Sequence, residues 1–181
     1  MTPFHIVLSE LAEVVDAVDP VQMVKACELI AGAGRILAHG SGRERLQLVG
    51  FIMRLHHLGL RVAMQGDMAA PPLGPGDLLV CSAGAGDLPT VSVLVEVAQA
   101  AGADVLILTA TPDTAAAAQA TLVLTIPALT GVDEAAGASI LPPGSLYEAA
   151  MFLLFEVMAL DLRDRLAIPP DVMRSRQTNM E

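Results

Sequence analysis

Apolar positions along the chain follow two spacings, and these predict alternating strands and helices. The uninterrupted apolar runs DLLVCS and ADVLILTA, each bounded by turn residues, predict strands that are buried on both faces. Segments with apolar residues three and four positions apart predict helices. The helices are expected at FHIVLSELAEVVDAVDP, 21–30, 43–58, 88–101, PDTAAAAQA and 145–166.

Shorter apolar runs supply the remaining strands, at ILAHG, RVAMQ and TLVLTIP. The stretches GDMAAPPLGPG and ALTGVDEAAGASILPPG are rich in Gly and Pro, which predicts loops. Strands that alternate with helices predict an α/β fold, a three-layer α/β/α sandwich around a parallel sheet of about five strands. Ligands of such sheets bind beyond the carboxyl ends of the strands, so the loops after ILAH, RVAM, LLVC and ILT are the first to consider.

The length of 181 residues fits a single domain with a substantial core, and neither a repeat nor a second domain is visible. Residues 1–33 are predicted to form N-terminal helices, 34–166 the α/β core, and 167–181 a C-terminal tail. The long helix at 145–166 carries apolar side chains around most of its circumference. Burial on several sides is expected of such a helix, which predicts a homo-oligomer.

Composition narrows the classes of partner. With a net charge of −10 and only 17% charged residues, the chain lacks the clustered cations that nucleic acids require. The N-terminus lacks a basic segment followed by an apolar core, so no signal peptide is expected. No apolar run is long enough to span a membrane. Cys27 and Cys81 lie in apolar patterns without metal-ligand spacing, so buried free thiols, no metal and a cytoplasmic location are expected.

The stretch CSAGAGDLPTV has the outline of a strand, a Gly-rich turn and a helix, which is a common setting for binding a phosphate. Gly84 and Gly86 allow backbone N–H groups to converge on an anion. Between Ala83 and Leu88, however, no side chain carries a hydroxyl. Asp87 has two interpretations, a cap of the following helix or a contact to a ligand.

A second candidate loop is SGRER, which follows the strand ILAH. The incomplete GxGxxG pattern there argues only weakly for a dinucleotide. Arg43 is predicted either to bind a phosphate or carboxylate through its guanidinium fork, or to pair with Asp67 or Glu44. The hydroxyls of Ser41 and Ser82 are candidate replacements for the donors missing from the Gly-rich loop.

The run HGSGRERLQLVGFIMRLHHLG and the segment from RVAMQ to TATPD resemble the sugar isomerase (SIS) domains. Within that family the chain is most similar to the 6-phospho-3-hexuloisomerases, through GxGR followed by MRLxHLG, through LPPGSLYE and through the C-terminal RQTNME. The resemblance covers nearly the whole chain. It implies flavodoxin-like (SIS) topology and a cytoplasmic homo-oligomer, dimer or tetramer, with sites between subunits. It also implies isomerase activity on a 3-hexulose 6-phosphate and fructose 6-phosphate, an intramolecular oxidoreduction, with no cofactor.

The resemblance assigns roles to particular positions. Glu148 matches the proposed base of the family, and His57 matches the histidine of the MRLxHLG motif. The C-terminal His, a proposed catalytic group of the family, is replaced here by Gln177. Three loops depart from the family pattern: SGSGET is AGAGDL at 83–88, GETTTP is GDMAAP at 66–71, and the Ser after GxGR is Glu44. The expected catalytic set is Glu148, His57 and Gln177. The expected substrate-binding set is Ser41, Gly42, Arg43, Asp67, Ser82, Ala83, Gly84, Ala85, Gly86 and Asp87.

Glu148 and His57 also have simpler, structural interpretations. As a structural residue, Glu148 would complement the N-terminal dipole of its helix. As a catalytic base, it would have its pKa raised toward neutral by burial in an apolar site. His57 fits either a contact to sugar or a residue that orders a neighbouring loop, and His39 lies at a strand end that faces the expected site.

Three functions are consistent with these observations. The first is a phosphosugar isomerase with Glu148 as base. The second is a non-catalytic, carbohydrate-binding or regulatory SIS-like protein in which the phosphate site has degraded. The third is an isomerase for a less anionic sugar derivative. The loss of hydroxyls from three loops at once favours altered ligand chemistry over random change at one position. Glu148 and the C-terminal motif nevertheless favour the first function.

Overall fold

A computed structural model of the protein describes residues 1–128 and 139–180, so the predicted loop at 128–144 lies largely outside the described residues. Five parallel strands form one sheet in the order β2-β1-β3-β4-β5. This is the flavodoxin-like order, and it confirms the predicted α/β fold and topology. The strands are β1 (Ile36–His39), β2 (Val62–Met64), β3 (Leu78–Ser82), β4 (Asp104–Thr109) and β5 (Leu122–Thr125).

Helices cover both faces of the sheet and give the three predicted layers. They are α1 (Pro3–Asp16), α2 (Pro20–Gly32), α3 (Gly42–His57), α4 (Pro89–Ala100), α5 (Ala115–Gln119), α6 (Ser145–Arg165) and α7 (Pro170–Ser175). Side chains of α1, α2, α3 and α6 share one hydrophobic core with the sheet, and those of α4 and α5 share another. Successive strand residues point to opposite faces, so Val80 packs in the first core and Leu79 in the second.

The residues at the N-terminus of a helix explain where α2 and α4 begin. Helix α2 begins earlier than the predicted residue 21, because the Asp19 carboxylate accepts a hydrogen bond from the Val21 amide and Pro20 occupies the first turn. Pro89 takes the same position in α4, as the sequence predicts. The C-terminal tail is not uniformly extended, because it contains the short helix α7.

Helices α3 and α6 lie side by side in the same direction. The rings of Phe51 and Phe155 stack with centroids 4.2 Å apart and planes 6° from parallel. Farther along, the Arg54 guanidinium pairs with the Glu156 carboxylate at 3.0 Å. The two helices therefore start together at the carboxyl edge of the sheet and run toward its other edge. Among the described residues, no helix is long and apolar enough to cross a membrane.

Candidate active site

The carboxyl ends of β1 and β3 lie side by side, since His39 is in register with Cys81. The chain leaves β1 for β2 on one side and reaches β3 on the other, so the strand order reverses here. A crevice for ligands forms at such a point in open α/β sheets. The two candidate segments, at 41–45 and 83–88, therefore lie next to each other, as the sequence predicts.

Two glycines fix the path of the loop that follows β3. A Cβ atom at Gly84 would lie 2.7 Å from the ring of Tyr147 and 2.8 Å from the Glu44 carboxylate, so a side chain does not fit. Gly86 has a φ of +101°, which strains any other residue. Its amide donates to the Ala83 carbonyl at 3.0 Å and closes the turn. The Gly-rich turn is thus formed even though its hydroxyls are missing.

The Glu44 carboxylate occupies part of this loop. One of its oxygens, Oε2, accepts a hydrogen bond from the Ser82 hydroxyl at 2.5 Å and another from the Gly84 amide at 3.1 Å. From the sequence, Glu44 is expected only as the replacement of a serine and as an alternative partner of Arg43. An acid gained in one loop where hydroxyls are lost from the neighbouring loop was the available signal for this contact.

Beneath the carboxylate lies a buried polar pair. The Ser82 hydroxyl is fully buried and is 3.2 Å from the phenol oxygen of Tyr147, a residue that is 1% exposed. Burial raises the pKa of the Tyr147 phenol, and the negative charge of Glu44 raises it further. Ser82 therefore holds Glu44 in place within the protomer, which differs from the predicted role of a free donor for the ligand.

Arg43 joins the first turns of α3 and α6. Its Nε atom lies 3.1 Å from the Glu148 carboxylate, and its two terminal nitrogens donate to the Ser145 hydroxyl at 3.2 Å and the Pro143 carbonyl at 2.7 Å. The alternative that Arg43 pairs with Asp67 or Glu44 is wrong. Glu148 is 14% exposed and has a guanidinium beside it, so its surroundings are less apolar than expected.

The remaining substrate-binding candidates differ in their surroundings. Asp67 is exposed and accepts a hydrogen bond from the Met64 amide at 3.1 Å, so it stabilises its own turn. Asp87 is exposed and does not cap α4, because the cap position is Leu88 and no side chain bonds there. The cap predicted for Asp87 is therefore wrong. Ser41 precedes α3, is exposed, and its hydroxyl makes no capping hydrogen bond.

Backbone amides of the Gly-rich loop are partly used within the protomer. The Ala83 amide donates to the Leu108 carbonyl at 2.9 Å. The amides of Ala85 and Asp87 donate to no group within the described ranges 1–128 and 139–180. Ala85 is also exposed, whereas Ala83 is buried. These two amides, together with the Ser41 hydroxyl and the Gly42 backbone, are the donors that the crevice offers to a ligand.

His39 lies at the carboxyl end of β1 and is 6% exposed. Its Nδ1 atom is 3.0 Å from the side-chain oxygen of Gln65, so Nδ1 carries the proton and donates. The Nε2 atom is buried and has no hydrogen-bond partner within the part of the chain that the structure describes. The structure therefore places His39 at the expected edge, with its ring held by Gln65.

His57 and Gln177 lie together, but at the other end of α3. His57 is fourteen positions after Arg43, which corresponds to about 21 Å along the helix. A cavity of about 380 Å³ is lined by His57, Gln177 and Arg54, and Arg176 donates to the His57 carbonyl at 3.1 Å. Within one protomer the three predicted catalytic residues therefore form two separate groups.

Metal-binding geometry is absent from the described ranges. No group of three or more His, Cys, Asp or Glu side chains within residues 1–128 and 139–180 is arranged to hold a metal ion. The side chains at the carboxyl edge instead offer one carboxylate, Glu148, that contacts a guanidinium and remains partly exposed. This arrangement can position a base against a ligand in the crevice.

Comparison with known proteins identifies relatives over almost the full length of the chain. A 3-hexulose-6-phosphate isomerase from Mycobacterium gastri is 34% identical over 176 residues, which are 97% of this chain and 88% of that protein. A 3-hexulose-6-phosphate isomerase from Bacillus subtilis is 29% identical over 154 residues, 84% of this chain and 83% of its own. No family model matches the chain.

Solved structures share the fold. A hypothetical protein from Methanococcus jannaschii, for which a molecular function of 3-hexulose-6-phosphate isomerase has been inferred, superposes with a TM-score of 0.83. The alignment covers 98% of both chains at 19% sequence identity. At that identity the likeness is one of fold.

Proposed function

The chain belongs to the 3-hexulose-6-phosphate isomerases of the sugar isomerase (SIS) family, and on that premise we propose that it interconverts 3-hexulose 6-phosphate and fructose 6-phosphate. It is thus a phosphosugar isomerase, an intramolecular oxidoreductase. The observation that carries the proposed mechanism is the carboxylate of Glu148, held by Arg43 at the carboxyl edge of the sheet and next to the Gly-rich loop.

The reaction moves a carbonyl group between C3 and C2 of the sugar. A base removes the proton from C2 of the 3-hexulose, the C–H electrons form a C2–C3 double bond, and the C3 carbonyl oxygen gains a proton. The resulting enediol loses the proton of its C2 hydroxyl, the C2 carbonyl forms, and C3 receives a proton. The proposed reaction therefore needs one base that faces both carbons and donors that hold the two oxygens.

Glu148 is the proposed base. Its carboxylate lies in the first turn of α6, and the fork of Arg43 fixes its direction by also binding Pro143 and Ser145. A base held in one orientation avoids the entropic cost of being ordered during the reaction. The partial exposure of the carboxylate leaves room for a sugar to reach it.

Sugar binding is assigned to the crevice between the two loops. The Ser41 hydroxyl and the amides of Gly42, Ala85 and Asp87 are the proposed donors, because each is exposed or lacks a partner in the described ranges. Hydroxyl groups of a sugar accept such hydrogen bonds readily.

A homo-oligomer would complete the site. His57 and Gln177 are too far from Glu148 in one protomer, so they can contact the same sugar only if a second copy supplies them. An apolar groove of about 370 Å³ between α1, α2 and α6 supports assembly, since Val15, Met23 and Val157 line it. Exposed apolar side chains on α6 extend this surface, namely Phe152, Leu153, Val157 and Leu160.

We place the enzyme in the cytoplasm, where reducing conditions keep thiols free. Cys27 and Cys81 are both buried and unpaired. Burial raises the pKa of each thiol to about 12, so both remain protonated and unreactive at neutral pH. The chemistry of the protein's own cysteines thus fits this compartment.

Proton exchange in D₂O tests the proposal directly. With fructose 6-phosphate, an enediol between C2 and C3 exchanges the C3 hydrogen for deuterium, whereas an aldose–ketose isomerase exchanges hydrogen at C1. We expect NMR to show exchange at C3 only, and Glu148→Gln to slow it by about 100-fold or more, because the amide cannot accept the proton.

The control for this experiment is Asp164→Asn, which removes a carboxylate from the same helix outside the crevice. Its exchange rate should stay close to that of the unmodified protein. Exchange that is absent from the unmodified protein would disprove the proposed reaction, and undiminished exchange in Glu148→Gln would disprove the assignment of the base.

A further inference from the structure

The Gly-rich loop already holds an anion, and that anion belongs to the protein. The Glu44 carboxylate accepts hydrogen bonds from the Gly84 amide and from the Ser82 hydroxyl. A backbone amide in a Gly-rich turn and a hydroxyl at the end of a buried strand are donors suited to a phosphate oxygen. Glu44 thus uses donors that a ligand's phosphate group would require.

We propose that Glu44 is a specificity-determining residue that excludes a phosphate group from the Gly-rich loop. The proposal rests on the proposed function only in taking this crevice as the substrate site. The consequence for substrate recognition is that the sugar portion of the ligand, and not phosphate bound at this loop, supplies most of the affinity here.

The position of Glu44 is well defined. Ser82 is completely buried and gives Glu44 the shorter of the two hydrogen bonds, 2.5 Å. The Gly84 backbone leaves space for the carboxylate, since a Cβ atom there would lie 2.8 Å from its second oxygen. A carboxylate with this support is part of the loop's own structure, and a phosphate must displace it to reach the same donors.

Within the described residues 1–128 and 139–180, neither Arg43 nor Arg45 forms an ion pair with Glu44. Arg43 donates to the Pro143 carbonyl and the Ser145 hydroxyl and pairs with Glu148. Arg45 donates to the Gln65 carbonyl at 3.1 Å. A phosphate that approaches the loop therefore meets a carboxylate at short range, which opposes binding.

Binding of inorganic phosphate and fructose 6-phosphate tests this inference. Calorimetry on the full chain should show that Glu44→Ser binds both ligands about tenfold more tightly or better, because charge repulsion is removed and the Gly84 amide becomes available. Glu44→Gln should give a smaller gain, because it removes the charge but keeps a side-chain oxygen that accepts from Gly84. Fructose, which lacks the phosphate, should bind the unmodified protein and both variants with similar affinity.

Asp113→Asn is the matched control. Thr111 and Thr114, on either side of Asp113, are the residues that a Cβ atom at Gly86 would meet, so this carboxylate lies on the adjacent loop. Its neutralisation changes the net charge equally but opens no donor. Phosphate affinity in Asp113→Asn should change by no more than about twofold. An equal gain in this control would overturn the proposal, since general charge would then explain the effect.

A measurement on the unmodified protein decides the matter if a variant does not fold. The NMR signal of the Gly84 amide should not shift at phosphate concentrations below about 10 mM, well above physiological substrate levels. A saturable shift of that signal at lower concentrations would overturn the proposal. So would unchanged or weaker phosphate binding in a folded Glu44 variant.

Failure of this inference and failure of the proposed reaction are distinguishable. C3 exchange that depends on Glu148, together with unchanged phosphate affinity in the Glu44 variants, would leave the reaction and remove the inference. Tighter phosphate binding in those variants without C3 exchange would leave the inference about Glu44 and remove the reaction.

Discussion

At the scale of single residues, the contact between Gly84 and its neighbours sets the shape of the loop. Tyr147 is buried below the glycine, and Glu44 reaches it from α3. The two side chains come from helices that are separated by about a hundred positions, so the shape of the loop depends on how both helices pack. Because Gly84 has no side chain, the loop after β3 can contact both α3 and α6.

We expect Gly84→Ala to destabilise the protein by about 1–3 kcal/mol, because the new methyl group would overlap the Tyr147 ring. The same methyl group would push the Glu44 carboxylate away from the Gly84 amide. Urea denaturation followed by circular dichroism measures the change in the free energy of unfolding.

Gly50→Ala is the control for that substitution. Gly50 lies inside α3, and nothing is within 4 Å of a Cβ atom built there. Alanine should stabilise this helix by roughly 0.5–1 kcal/mol. Equal effects at positions 50 and 84 would contradict the importance of the close contact.

At the scale of elements, the two faces of α6 differ in their burial. One face packs on α3 and the sheet, with Phe155 stacked on Phe51. The opposite face leaves Phe152 52% exposed and Val157 48% exposed. Apolar residues around most of a helix indicate that the helix is buried on several sides. Within one protomer, only part of α6 is covered.

Phe155→Ala should reduce the free energy of unfolding by about 3–5 kcal/mol, because it removes a 3% exposed ring and leaves a cavity. Thermal and urea denaturation measure this loss.

Phe152→Ala, a substitution of the same kind on the same helix, is the control and should cost about 1 kcal/mol or less in a dilute protomer. A loss in Phe152→Ala as large as in Phe155→Ala would show that the two faces of α6 are not distinguished by burial within the chain.

At the scale of the whole molecule, the two ends of α3 separate the predicted catalytic residues. Glu148 lies near the first turn of α3, and His57 lies at its last turn with Gln177 beside it. Rigid, closely packed helices do not bring such positions together by bending. Under the proposed function, assembly of identical copies would unite them.

Mixed oligomers test whether two copies share one site. Glu148→Gln and His57→Gln should each be inactive alone, whereas co-expression should restore about a quarter of the activity, because some sites then receive both intact residues. The C3 exchange assay measures the recovery, and light scattering confirms that mixed oligomers form.

Glu148→Gln mixed with Arg43→Met is the matched control. Both positions belong to the same end of one protomer, so no site in a mixed oligomer regains both residues. Recovery in this control, or no recovery in the first mixture despite assembly, would contradict a shared site.

Comparison of sequence and structure shows which inferences depend on local patterns. The strands, the helices and the strand order follow from apolar spacing and from the family resemblance, and the structure confirms them. The Gly-rich turn was also predictable, since glycine is needed where φ is positive. The partner of Arg43 was not, because Glu148 lies over a hundred positions away and its contact depends on how α3 and α6 pack.

Local patterns determined the architecture of this protein, because the spacing of apolar residues specifies which face of each element is buried. Charge contacts between distant segments are set by the tertiary structure alone. Only the folded chain shows that Glu44 enters the Gly-rich loop, that Arg43 holds Glu148, and that Gln177 lies beside His57. The physical reason is distance. A hydrogen bond or ion pair forms only between atoms about 3 Å apart, and the sequence positions of two residues do not specify whether folding brings them that close.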